Sequence, residues 1–109
     1  MKNKLSIIIP TFREGKIIEK SVNEINNILS EEAIDFEILI IDDNSNDLTL
    51  EKIKHISNKN KRIRIHLNTL SKGFGNSIIE GINNAEGEIV CFVMADQSDS
   101  PNDIIKYYN

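Results

Sequence analysis

Residues 36–47 read FEILIIDDNSND, and the fold turns on how they are read. Phe36 to Ile41 suits a strand buried on both faces, and it ends abruptly at Asp42, Asp43 and Asn44. Acids at such a place have two readings. They form a solvated turn in which Asn46 or Asp47 caps the next helix, or they are set out to bind something. Loop chemistry alone leaves both open, so the neighbouring segments must decide.

Upstream, Leu5 to Pro10 is a continuous apolar run of the same buried-strand type. Between the two runs, Ile17, Ile18, Val22, Ile25, Ile28 and Leu29 recur at helical spacing. Downstream, Leu48, Ile53 and Ile56 sketch a second helix. Ile63, Ile65 and Leu67 alternate with Arg64 and His66, the period of a more exposed strand. Phe74, Ile78, Ile79, Ile82 and Ala85 mark a third helix, closed by the Glu86-Gly87 turn, and Glu88 to Met94 reads as a fourth buried strand. Ser100-Pro101 is a strong helix start, and that helix has about two turns before Asn109. The order βαβαβαβα with short connections predicts an α/β protein: a Rossmann-like parallel sheet with helices on both faces. The shortness of the last helix suggests the front part of something longer.

The 109 residues are one domain's worth, and 39% hydrophobic with 28% charged residues fits a globular protein. A net charge of −4 argues against nucleic acid as a partner, because affinity for a phosphate backbone comes from clustered Lys and Arg. The only basic knot, Lys59, Lys61, Arg62 and Arg64, reads as a solvated turn into an edge strand. No apolar run nears the roughly 20 residues that cross a bilayer. Cys91, the single cysteine, reads as a small core residue in a reducing compartment, so a cytoplasmic location is expected. His55 and His66 have no companion at ligand spacing and read as surface residues.

In an open parallel sheet, ligands bind beyond the carboxyl ends of the strands. Three of these ends carry unusual residues: Pro10-Thr11-Phe12-Arg13-Glu14, Asp42-Asp43-Asn44-Ser45 and Met94-Ala95-Asp96. Acids brought near one another need a cation, hydrogen-bond donors or a polar ligand to compensate them. Three polar ends on one rim tilt the balance towards a site. A fourth element, Ser71-Lys72-Gly73-Phe74-Gly75-Asn76, sets glycines at a helix start, where backbone N–H groups can approach a diphosphate.

Taken together, IIIPTFRE, ILIIDDNSND, SKGFGNSIIEGINNAEGEIV and MADQSDSP resemble the family 2 glycosyltransferases, in particular the dolichyl-phosphate mannosyltransferase and polyprenyl-phosphate sugar synthase branch. The four segments span nearly the whole chain in the family's order and spacing. The resemblance implies that residues 1–109 are the nucleotide-sugar-binding N-terminal half of a nucleotide-diphospho-sugar transferase (GT-A) fold, truncated at the C-terminus. It implies a parent enzyme that moves a sugar from a UDP- or GDP-linked donor to an acceptor such as a polyprenyl phosphate, at the inner membrane face, with the isolated chain inactive. By the same resemblance Pro10, Thr11, Phe12 and Glu14 wrap base and ribose, Asp42 and Asp43 hydrogen-bond the nucleoside, and Lys72, Gly73 and Gly75 line the nucleotide. Asp96 matches the second acid of the family's Asp-x-Asp motif, which holds Mg²⁺ or Mn²⁺ against the diphosphate. Met94 stands where the first acid would be, and a thioether is a poor ligand for a hard cation. Asp96 is then expected to be the sole strand-end ligand, with metal binding only beside a nucleotide, while Asp99 and Ser100 cap the last helix. The truncated sheet is expected to self-associate through an open edge or bare apolar face near Ile89 to Met94 and the last helix.

A signalling receiver domain is the rival of similar size. Its acidic pair follows the first strand, and a fifth strand ends in lysine; here the pair follows the second strand and no fifth strand follows. A non-catalytic nucleotide-binding module on the same fold is the remaining alternative.

Overall fold

The computed structural model describes residues 4–12, 15–43, 49–68 and 73–94. Along the chain these form β1 (Leu5–Thr11), α1 (Gly15–Glu31), β2 (Phe36–Asp42), α2 (Thr49–Lys59), β3 (Ile63–Leu67), α3 (Phe74–Asn84) and β4 (Ile89–Phe92). The expected alternation is present up to β4; the helix expected from Pro101 lies outside the described residues. The four strands make one parallel sheet in the order β3-β2-β1-β4.

The two strands read as buried on both faces, β1 and β2, are the central pair, and every residue of each is buried. Alternate side chains leave a strand on opposite faces. Ile7 and Ile9 of β1 join Ile38 and Ile40 of β2 in one cluster with Ile18, Val22, Ile25 and Leu29 of α1 and Ile53 and Ile56 of α2. Each such side chain contributes about 1.5–3 kcal/mol when fully buried, so this layer carries most of the stability. The opposite face is thinner: Ile8, Leu39 and Ile41 meet α3 and the partly buried Ala85. Gly81 lets α3 come this close, because a Cβ there would lie 2.5 Å from Cγ2 of Ile8. The helices thus cover both faces.

β4 departs from its reading. Ile89 to Met94 looks like a buried strand, but β4 is an edge strand of four residues, with Val90, Phe92 and Met94 exposed. Ile89 and Cys91 pack against the larger core, while Val90 and Phe92 pair with Ser6 and Ile8 on the α3 face, beyond the reach of that helix. His66 also differs from the surface role expected for it. It is half-buried on β3, its Nε2 2.9 Å from Oε2 of buried Glu80 on α3. The alternation in β3 therefore separates an apolar α1/α2 face from a polar α3 face, both only partly covered, with Leu67 exposed at the strand's end.

The basic knot is mostly structural. At the amino end of the sheet, buried Glu37 receives the Ser6 hydroxyl (2.6 Å), the Glu86 backbone N–H (2.6 Å) and the Arg64 guanidinium (2.8 Å from Nε). Burial alone would raise its pKa; the donors from Ser6, Glu86 and Arg64 together outweigh that and hold it below the ordinary 4.5. Arg62 lies over the Phe36 ring at 4.7 Å and donates to the Phe36 carbonyl at 2.8 Å.

Candidate functional site

The opposite, carboxyl end of the sheet collects most of the residues singled out above. Thr11 ends β1 in register with Asp42 at the end of β2, and its hydroxyl donates to Oδ1 of Asp42 at 3.2 Å. Asp43 N–H donates to the Thr11 carbonyl, and Asn68 N–H to the Asp42 carbonyl, both at 2.9 Å. Three strand ends are stitched together this way.

The acidic pair splits. Asp42 shares register with Thr11 and Leu67 and is fully buried. Asp43, one residue on, addresses α3 instead. Its Oδ2 receives the Gly73 N–H at 3.0 Å and its Oδ1 the Asn68 side-chain amide at 2.9 Å. Gly73 is the N-cap of α3 with φ 143°, a region that side-chain-bearing residues rarely enter, and no side chain caps the helix there. The Asp43 carboxylate therefore serves the helix start from a neighbouring strand, with its charge favourably placed against the helix dipole.

Electrostatically, Asp43 is unlike Glu37. It is 7% exposed, and its partners among the described residues are all neutral donors. A carboxylate so held has lone pairs to spare, and can accept N–H or O–H groups from a ligand.

Pro10 explains where a ligand could enter. The carbonyls of Lys4 and Ile8 bond to residues in and beside β4, whereas Thr11 bonds towards β2. Alternation turns the edge of Pro10 towards β4, but that pairing ends at Ile8 and Phe92. A proline, lacking an N–H, costs no ladder bond at this point. The sheet also reverses its winding between β1 and β4, a switch point of the kind beside which open α/β sheets bind ligands.

Pro10, Thr11, Asp42, Asp43 and Gly73 thus meet on one rim, with Phe12 half-buried directly beyond Thr11. Gly75 lies in the first turn of α3, exposed, with open space where a Cβ would be. Glu14, Lys72, Asp96 and Asp99 lie outside the described residues. Among the described residues no group of three or more His, Cys, Asp or Glu could hold a metal, and Met94 brings only a thioether to this rim. Asn68 was not anticipated. It is 4% exposed and bonded to both acids of the pair. The sequence offers only a faint signal for it, a single polar residue directly after the alternating strand Ile63–Leu67, standing to β3 as Asp43 stands to β2.

The glycosyl transferase family 2 model matches residues 6–109. The dolichol-phosphate mannosyltransferase of Pyrococcus furiosus is 33% identical over 103 residues, which are 94% of this chain and 28% of that protein. A GalNAc(5)-diNAcBac-PP-undecaprenol beta-1,3-glucosyltransferase of Campylobacter jejuni is 34% identical over 91 residues, 83% of this chain and 28% of its own. In fold, the chain is similar to a mannosyltransferase from Pyrobaculum calidifontis in complex with GDP-Man and Mn²⁺, with a TM-score of 0.74 at 21% identity over 88% of this chain and 28% of that one. The chain spans under a third of the length of each of these three proteins. With a matching model over nearly its whole length and a GT-A-like α/β fold, the chain belongs to glycosyl transferase family 2.

Proposed function

We propose that this chain supplies the nucleotide-binding half of a glycosyltransferase that takes a UDP- or GDP-linked sugar and passes it to a polyprenyl phosphate. One observation carries the reading: a buried carboxylate, Asp43, held only by neutral donors among the described residues, at the carboxyl end of the sheet where its winding reverses beside β1. In this reading Asp43 accepts from the base, Asp42 and Thr11 hold the wall behind it, and Pro10, Phe12 and Glu14 enclose base and ribose. Lys72, Gly73 and Gly75 flank the diphosphate. The dolichol-phosphate and undecaprenol relatives support the acceptor class.

A divalent cation, Mg²⁺ or Mn²⁺, belongs to the same proposal, with Asp96 as its strand-end ligand and diphosphate oxygens supplying the rest. The Mn²⁺ bound with GDP-Man in the Pyrobaculum calidifontis structure supports it. The sugar transfer itself belongs to the full-length parent at the cytoplasmic membrane face, and this chain alone binds nucleotide at most weakly and does not turn over. The exposed Val90 and Phe92 of edge strand β4, with exposed Met94 just beyond it, support self-association through that edge.

Isothermal titration with UDP and GDP tests the reading. One of them should bind in preference, and Asp43→Ala should weaken it by about 1–3 kcal/mol. Absence of heat for both would leave a fold without its site. With the preferred nucleotide present, Mn²⁺ should broaden NMR signals nearest residue 96, and Asp96→Asn should abolish the effect. Light scattering should show an oligomer that Phe92→Ser reduces to monomer.

A further inference from the structure

We infer that Asn68 is a positioning residue of the nucleotide site, fixing the orientation of the Asp43 carboxylate; the inference rests on the nucleotide-sugar reading above. Its backbone is anchored first: the N–H donates to the Asp42 carbonyl at 2.9 Å, extending the β2–β3 pairing by one residue. This sets the side chain beside Asp43, where Nδ2 donates to Oδ1 at 2.9 Å. A carboxylate only accepts, so the amide nitrogen must be the atom that faces it.

The two oxygens of Asp43 are thereby distinguished. Oδ1 belongs to Asn68 and Oδ2 to the Gly73 N–H at 3.0 Å. A carboxylate held at one oxygen can swing about its Cβ–Cγ bond; held at both, it cannot. The lone pairs left over then point in fixed directions, and a ligand N–H meets an acceptor that needs no reorganisation. Asn68 itself is 4% exposed, so solvent does not compete for its place. Aspartate there would set two carboxylates at hydrogen-bond distance, and serine would fall short of Oδ1. Asn68 would touch no substrate. Its effect on the base passes entirely through Asp43.

The test uses the full chain with Asn68→Asp, and Asn68→Ser in case the first fails to fold. Without ligand, the Gly73 amide signal in a ¹⁵N–¹H spectrum should shift in either variant, because its acceptor is no longer held. Titration with UDP, GDP and CDP should then show the preference for the favoured diphosphate over CDP falling about tenfold, one hydrogen bond's worth. A residue that only stabilised the fold would weaken all three nucleotides alike and leave the base preference unchanged. An unmoved Gly73 signal in both variants overturns the inference, as does an unchanged base preference. Wild-type protein that binds none of the three overturns the nucleotide reading instead, and the Gly73 signal still decides whether Asn68 orients Asp43.

Discussion

The two ends of this sheet treat their buried acids in opposite ways. At the amino end Glu37 is matched by Arg64, and the surrounding acids are matched too: Asp35 by Arg62, and Glu86 by Lys4 and Arg64. At the carboxyl end Asp43 is also buried, yet its partners among the described residues are a side-chain amide and a backbone N–H. Neutral donors fix a carboxylate in place without cancelling its charge; a guanidinium does both. The first end is closed upon itself and stabilises. The second holds its acid by neutral donors alone among the described residues, with carboxylate lone pairs to spare.

The largest expected effect tests the closed end. Glu37→Ala removes the acceptor for Ser6, Glu86 and Arg64 together, and should cost about 3 kcal/mol in urea unfolding, the lower end for a broken buried pair because Arg64 is partly exposed. Asp43→Ala should cost less, about 1–2 kcal/mol, since it strands two neutral donors and no cation. A reversed order would break the comparison.

Acid titration sharpens it. Because the folded-state pKa of Glu37 is depressed, its contribution is whole above the ordinary 4.5 and is lost as pH falls through the lower folded value. The stability gap between wild type and Glu37→Gln should therefore be constant from pH 7 to about 5 and close progressively below 4.5. A gap that persisted unchanged to the point of acid unfolding would mean that Glu37 acts by shape and not by charge.

The central layer was legible in the sequence because burial on both faces leaves continuous β-branched runs, as in Leu5 to Pro10, and nothing else competes with that signal. β4 was misread for the same reason. Ile89 to Met94 is just as apolar, but sheet order, not composition, puts it at an edge. Asp42 and Asp43 were visible as a pair; their division between two faces was not, since it needs the register with Thr11 and the approach of α3. Asn68 and Glu37 escaped because one polar residue in or after a strand has no period. Each gains meaning only from partners distant in sequence: Asp43, 25 residues away, and Ser6, 31 residues away.

The smallest expected effect concerns the rim of the closed end, where proximity of charges says little about energy. Asp35 and Arg62 approach to 3.3 Å, but their side chains are 65% and 45% exposed, so water and salt screen the pair. Asp35→Ala should change stability by less than about 0.5 kcal/mol. Arg62→Ala should cost more, about 1 kcal/mol, because it also loses the Phe36 carbonyl at 2.8 Å and the stacking on the Phe36 ring. The two substitutions cut the same ion pair, so their difference isolates what Arg62 does for β2 from what it does for Asp35. Urea unfolding of both variants at low and high salt gives that difference directly. Equal losses that vanish together in salt would show the ion pair itself to be the stabilising contact, and would extend the charge-matched closure of Glu37 out to the surface.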